Sequence, residues 1–270
     1  MVQTVAQKHN GDGFVKPGEL IDIRAGAELS LQDRRIFNVL IEHAWSEIGN
    51  NVTHKIAISR LRGPTHRGGE RVSESIKSLM TTLVEVPAMI DGEPAIFATQ
   101  LLGETTRMTD EDSAHAMLFY SFPSGLRRII QDSRYWGRIK AFVVFSFTSK
   151  YALTLYEALC LRANLRVSEQ RFTVDEFRAL LGVEKGKLSL FKNLKKWAID
   201  PALFEVNALS DFDVEIEAVR TGGLARGPLI GFVVKWGKKS PDGWQKVLDE
   251  QLRPKLGRTA RLKGTVERVA

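Results

Sequence analysis

Apolar residues recur along the chain with two periods, and the changes from one to the other mark out the elements. In residues 30–45, Ile36, Leu40, Ile41 and Ala44 fall on one helical face, and Ser30 with Asp33 three residues later has the pattern of an N-terminal cap. Residues 53–59 alternate instead, as a short strand does, and run into a glycine-rich basic loop over 60–69. Helical spacing returns with Val72, Ile76, Leu79 and Leu83, while Arg71, Ser75, Lys77, Ser78 and Thr82 fall away from that stripe. Strand-like runs follow at 95–102 and 115–122, either side of the acidic loop Thr109, Asp110, Glu111 and Asp112.

Two helices followed by a hairpin is the order of a winged helix, and the order occurs twice. Residues 123–132 predict a further helix, and 138–147 a strongly apolar strand that closes the first half. Helices are then expected at 149–163, 173–181 and 189–210, and strands at 213–220 and 228–236, with the turn 221–227 between them as a wing. The halves share no detectable identity, so the repetition lies in the order of elements. The expected fold class is α+β, with two winged-helix domains in tandem at 21–147 and 148–240. Residues 1–20, with turn signals at Asn10, Gly11, Asp12 and Gly13 and at Pro17 and Gly18, predict a flexible N-terminal arm. Residues 241–270 predict a basic C-terminal tail, and from 253 onward Arg253, Lys255, Arg258, Arg261, Lys263 and Arg268 stand against Glu267 alone.

A length of 270 residues suits two domains, and 43% hydrophobic with 26% charged residues is the composition of a globular chain with a real core. Lys and Arg number 39 against 32 Asp and Glu, and the net +7 raises the expectation of a polyanionic partner. The single cysteine, Cys160, rules out an intrachain disulfide or a cysteine zinc cluster and fits the cytosol. No run approaches 18 apolar residues and the N-terminus lacks the apolar core of a signal peptide, so neither membrane nor secretion is indicated and a cytoplasmic, DNA-associated location is expected.

Catalytic patterns are weak. The stretch from Gly182 to Ser189 superficially resembles a phosphate loop, but it has one residue too few between the glycines and Leu188 where a magnesium-binding hydroxyl belongs. His9, His43, His54, His66 and His115 are scattered, with no pair at metal-ligand spacing. Tyr151 and Tyr156 share a helix with Leu153 and Leu155 and read as core packing rather than nucleophiles. The acidic cluster at Asp110, Glu111 and Asp112 reads as a solvated turn rather than a nuclease metal site. The expectation is a non-enzyme without cofactor or metal.

Double-stranded DNA is the partner that the remaining pattern favours. In residues 188–198, Phe191, Leu194 and Trp197 or Ala198 turn inward and leave Lys192, Asn193, Lys195 and Lys196 outside, as on a recognition helix. The major groove admits one α-helix, where Asn can pair with adenine and Lys with guanine while further lysines neutralise phosphates. The helix at 173–181 supplies the other arm of a helix-turn-helix. In the first half, the helix at 71–83 is the matching candidate, with Arg67, Arg71 and Lys77 for the backbone and Ser75 and Ser78 small enough for close approach. Arg226 in the second wing completes the candidate DNA-binding set.

The second half resembles a known family, the initiator replication proteins of iteron plasmids. The residues that carry this are 147–159 (Phe147, Thr148, Ser149, Lys150, Tyr151 through Leu159), 172–182, and most specifically 196–207, where Pro201, Ala202, Glu205, Val206 and Asn207 are similar to the family's Pro-Ala then Glu-Ile-Asn signature. The first half matches mainly through Leu29, Ser30 and Leu31 and the helix after them. The resemblance implies two winged-helix domains that straddle consecutive major grooves of each directly repeated iteron, followed by origin opening and recruitment of the host replicative helicase and host initiator. It also implies binding to iterons as a monomer and repression of its own gene, at an operator, as a dimer. The recognition helix then falls on Lys192, Asn193, Lys195 and Lys196, where the family often has arginines. The competing expectation is a winged-helix transcriptional repressor without initiator activity.

Overall fold

In the computed structural model, residues 13–22, 29–62, 72–223 and 227–265 are described. The sequence predicts a flexible arm through residue 20, but Phe14–Pro17 is a strand (β1), followed by a helical turn at Gly18–Ile21 (α1). Burial of Phe14 and Val15 is what holds it. Next comes α2 (Leu31–Ala44), opened by the expected capping box: Asp33 N–H donates to Ser30 Oγ at 3.1 Å and Ser30 N–H to Asp33 Oδ2 at 2.9 Å. Its Ile36, Leu40, Ile41 and Ala44 are buried, as their spacing requires.

The first half continues with β2 (His54–Ala57), α3 (Ile58–Leu61), α4 (Val72–Thr81), β3 (Leu83–Ile90), β4 (Glu93–Gln100), β5 (Thr105–Arg107) and β6 (Met117–Tyr120). The expected hairpin between 95–102 and 115–122 does not form. β4 pairs with β3 through the two-residue turn Asp91-Gly92, and β6 pairs with β2 and β5 in a separate three-stranded sheet. Both turn residues have positive φ, 52° and 87°, the backbone of a mirror-image turn that matches strand twist. Leu83, in phase with the helical stripe of α4, begins β3 instead of ending the helix.

After α5 (Ser124–Asp132), the predicted apolar strand at 138–147 is a short strand β7 (Trp136–Ile139), paired with β1, followed by a helix α6 (Ala141–Ser146). An apolar run this short carries no period that separates the two states.

The second half is a winged helix in connectivity and pairing. α7 (Lys150–Arg162) leads to β8 (Glu169–Thr173), α8 (Val174–Leu180) and a long helix made of α9 (Phe191–Leu194), a π turn (Lys195–Ile199) and α10 (Asp200–Leu209). Strands β9 (Phe212–Arg220) and β10 (Leu229–Lys238) complete an antiparallel sheet of order β8-β10-β9. A Cβ on Gly231 would collide with the Phe172 carbonyl, so glycine is what lets β10 approach β8. Phe177 of α8 stacks on Phe232 of β10 at 4.1 Å between centroids and seals helix to sheet. The expected tail at 241–270 is partly ordered: α11 (Pro241–Leu252) starts at a Ser240 cap, and α12 (Arg258–Leu262) returns Arg258 and Arg261 to Glu250 at 3.4 and 2.8 Å. Buried apolar residues of both halves form one connected core, and among the described residues no helix is long and apolar enough to cross a membrane.

An aromatic cluster in the first half should make the fold acid-sensitive. Tyr120 donates its hydroxyl proton to the Leu40 carbonyl at 3.0 Å, so His43 Nδ1, 2.9 Å from the same oxygen, must be the protonated nitrogen that donates to it. Burial, then the Arg60 charge, holds His43 below the usual histidine range; burial, then His43 itself, does the same for His54 beside Tyr120 and Phe122. Below about pH 6.5 the unfolded chain takes up protons that the folded state resists, so stability should fall as pH drops from 7 to 5. The melting temperature should fall over that window and fall less in His54→Phe; equal slopes for the two proteins would refute the assignment.

Candidate nucleic-acid interface

The second recognition helix is held from three sides. The family-like carboxylate Glu205 of α10 accepts the Thr148 and Ser149 N–H groups at 2.8 and 3.1 Å, as well as the Thr148 hydroxyl, and so caps the N-terminus of α7. Asn207 clasps the start of β9, donating to the Val214 carbonyl at 2.9 Å and accepting its N–H at 2.8 Å. Pro201 follows directly on the π turn inside the continuous helix, where it has no N–H to donate to the preceding turn.

The loop before the helix is fixed by Arg178, which donates to the Leu188 carbonyl at 2.9 Å and also to that of Lys187. Lys150 braces the same loop through Glu184 at 2.7 Å, and that hydrogen bond holds the Glu184 carboxyl below its usual range. Carbonyls, not amides, therefore converge in the segment from Gly182 to Ser189, and they converge on a guanidinium, which is the reverse of a phosphate loop.

Along the helix, Leu194, Ala198 and Ile199 are buried and Lys192, Asn193, Lys195 and Lys196 are exposed, as their spacing predicts. Trp197 points outward, 57% exposed, so Ala198 is the inward member of that pair. The π turn, with its one extra residue, lets both Ala198 and Ile199 reach the core. Lys195 is engaged by Asp200 at 2.5 Å, and Lys196 lies 4.6 Å over the Trp197 ring. Arg220, at the base of the wing, sits 5.0 Å over Phe191 and donates to the Gly227 carbonyl at 2.6 Å. Trp197 and Arg220 are surface features that the sequence reading did not single out. An aromatic residue inside a lysine run is the signal that was available. Arg226 lies outside the described residues.

In the first half, Arg67 and Arg71 lie outside the described residues, and Lys77 is exposed on α4. Ser75 is a correction: it is 5% exposed, one turn from Val72 and Leu79 on the buried face, and cannot meet a groove. Ser78 donates to Asp33 Oδ2 at 3.1 Å and ties α4 to the cap of α2. Glu111 is a correction too. The acidic cluster is not a free turn, because Glu111 accepts the N–H groups of Val72 and Ser73 at 3.1 and 3.0 Å and caps α4, with Arg62 and Arg107 beside it. Tyr156 is fully buried, with its oxygen accepting the Lys140 N–H. Among the described residues no group of three or more His, Cys, Asp or Glu side chains is placed to hold a metal ion.

Two family models match the chain: "Initiator Replication protein, WH1" over residues 14–160 and "Initiator Rep protein, WH2" over residues 173–227. No curated protein sequence matches it. Together the two models take in both winged helices, the Glu205 and Asn207 anchors and the basic recognition helix, and the chain belongs to the initiator replication protein family, DNA-binding initiators of plasmid replication.

Proposed function

We propose that this protein recognises directly repeated iterons at a plasmid origin, helps open the adjoining duplex and recruits the host replicative helicase and host initiator. The observation that carries the reading is the exposed face of the second recognition helix, where Lys192, Asn193 and Lys196 stand clear of the core beside a β9–β10 wing. Two winged helices, at about 21–147 and 148–240, give one chain two reading heads in a fixed order. That polarity suits direct repeats, whereas a two-fold dimer suits an inverted repeat.

The test is footprinting on the plasmid's origin fragment at stated salt, with unrelated DNA as competitor. Regular protection across direct repeats is expected; protection of a single inverted repeat alone would favour a repressor without initiator activity. In the same assay, Lys192→Ala with Lys196→Ala should lower the slope of log affinity against log salt by about 1.8, two phosphate contacts at roughly 0.9 each. An unchanged slope removes both lysines from the interface. Lys77 is the first-half counterpart, with a smaller expected change of about 0.9.

Repression of its own gene as a dimer forms part of the proposal. Among the described residues the β3–β4 hairpin pairs with no other strand, and Leu83, Met89, Ile90 and Ile96 are exposed on it, Ile96 at 72%. A two-stranded hairpin with an apolar exposed surface is marginal in water and is stabilised by covering it. A second copy of this chain is the occupant proposed. Met89→Lys with Ile96→Lys should shift the protein to monomer in sedimentation while direct-repeat binding persists; a dimer that survives both changes places the interface elsewhere.

A further inference from the structure

The base-reading chemistry on the second recognition helix is unusual for a basic one, because it lacks arginine. No arginine occurs from 179 to 219, and the two that flank this stretch are committed: Arg178 to the carbonyls of Leu188 and Lys187, Arg220 to Phe191 and Gly227. The bidentate guanine contact of arginine is therefore missing. Of the lysines, Lys195 is engaged by Asp200 and Lys196 lies over the Trp197 ring.

What the helix presents instead is one amide between two large apolar side chains. Leu190, the N-cap residue of α9, precedes Asn193 by three residues and Trp197 follows it by four, within the π turn; all three are exposed, Leu190 and Trp197 at 66% and 57%. Lys192 adjoins Asn193 in the first turn, and Lys196 lies against the Trp197 ring at 4.6 Å. The π turn contributes to this, because it takes Ala198 and Ile199 inward and leaves Trp197 in solvent. Such turns are frequent at functional sites.

Resting on the reading that this helix enters the major groove, we propose that it selects A·T pairs: Asn193 pairs with the N6 and N7 edge of adenine, and Leu190 and Trp197 pack on the 5-methyl groups of neighbouring thymines. Adenine is the base whose major-groove edge matches an amide with one donor and one acceptor. Thymine is the base that offers an apolar group there. Lys192, and Lys196 beside the Trp197 ring, are left to the phosphates.

Replacing thymine by deoxyuridine one position at a time deletes a single methyl and keeps the base pairing. Within the footprint of the wild-type protein, two or more substitutions should each weaken binding about threefold to fivefold, the size of one buried methyl group. Trp197→Ala should abolish the sensitivity at one of those thymines and Leu190→Ala at another. Asn193→Ala should relax an A·T over G·C preference at one position by about tenfold or more. All three side chains are exposed, so an unchanged melting temperature confirms that each variant is folded. A specific footprint with no uracil-sensitive position, or variants that bind more weakly but keep the wild-type uracil profile, overturns the A·T reading and leaves the initiator reading standing. Absence of any specific footprint overturns both.

Discussion

Replacing Glu157 by alanine should lower the unfolding free energy by about 3–5 kcal/mol, the range for an ion pair broken in a protein interior. Glu157 is 0% exposed and Lys16 1%, and the Lys16 ammonium lies 3.1 Å from both carboxylate oxygens and 3.1 Å from Asn38 Oδ1. Asn38 in turn donates to the same carboxylate at 2.6 Å. Burial lowers Lys16 from the usual lysine range, with Glu157 opposing the shift; Arg34, also buried, is lowered by burial and supported by Glu157. The carboxylate is thus the ion-pair partner of Lys16 and also supports Arg34, which keeps Asp33; its loss leaves the Lys16 ammonium unpaired. Urea unfolding with an unchanged m-value is the measurement. A loss under about 1 kcal/mol would mean that water reaches the pair and sink the argument. Lys16→Met with Glu157→Leu should recover only part of the loss, because the apolar pair removes the unpaired ammonium but leaves the buried Asn38 amide without its two partners. The network joins β1, α2 and α7, so the same variant should also loosen the seating of the two halves on one another.

Glu205→Ala should cost about 2–4 kcal/mol, because one carboxylate satisfies two backbone N–H groups and a hydroxyl at the start of α7. Asn207→Ala should cost about 1–3 kcal/mol by leaving both polar groups of Val214 without their partner. These two belong to the stretch most similar to the initiator family, yet neither faces the exposed side of the recognition helix. Their variants should therefore lose melting temperature, with any loss of DNA affinity tracking the folded fraction and the salt slope unchanged. A changed salt slope with normal stability would make them DNA contacts and refute the anchoring role.

The helices were legible because their signals are local. The Ser30–Asp33 and Thr173–Glu176 capping boxes and the 3.6-residue stripes of α2, α4 and α8 need no information from more than a turn or two away. The strands were legible only in part. β4 and β6 are where alternation predicts them, but β3 was hidden by Leu83 continuing the stripe of α4 and by Pro87, which a two-stranded edge tolerates. The turn Asp91-Gly92 is a strong hairpin signal and was sufficient to find β3. Of the candidate site, Lys192, Asn193 and Lys196 were read correctly as solvent-facing, and Trp197 was not separated from Ala198, because a periodic wheel has no place for a π turn. Ser75 was placed outside because serine is polar, although position 75 lies in register with Val72 and Leu79.

The sequence by itself determined the winged-helix order, the caps, the buried stripes and the basic face of the second recognition helix, since each depends on residues within about one or two helical turns. Only the tertiary structure decided where the charges go. Lys16 and Glu157 are 141 residues apart, Glu111 caps a helix 39 residues before it, and Glu205 caps one 56 residues before it. A charge is stable in the interior only with a partner brought to hydrogen-bond distance, and a partner that distant along the chain leaves no period in the sequence, only the anomaly of a glutamate in the apolar run from Leu153 to Leu159.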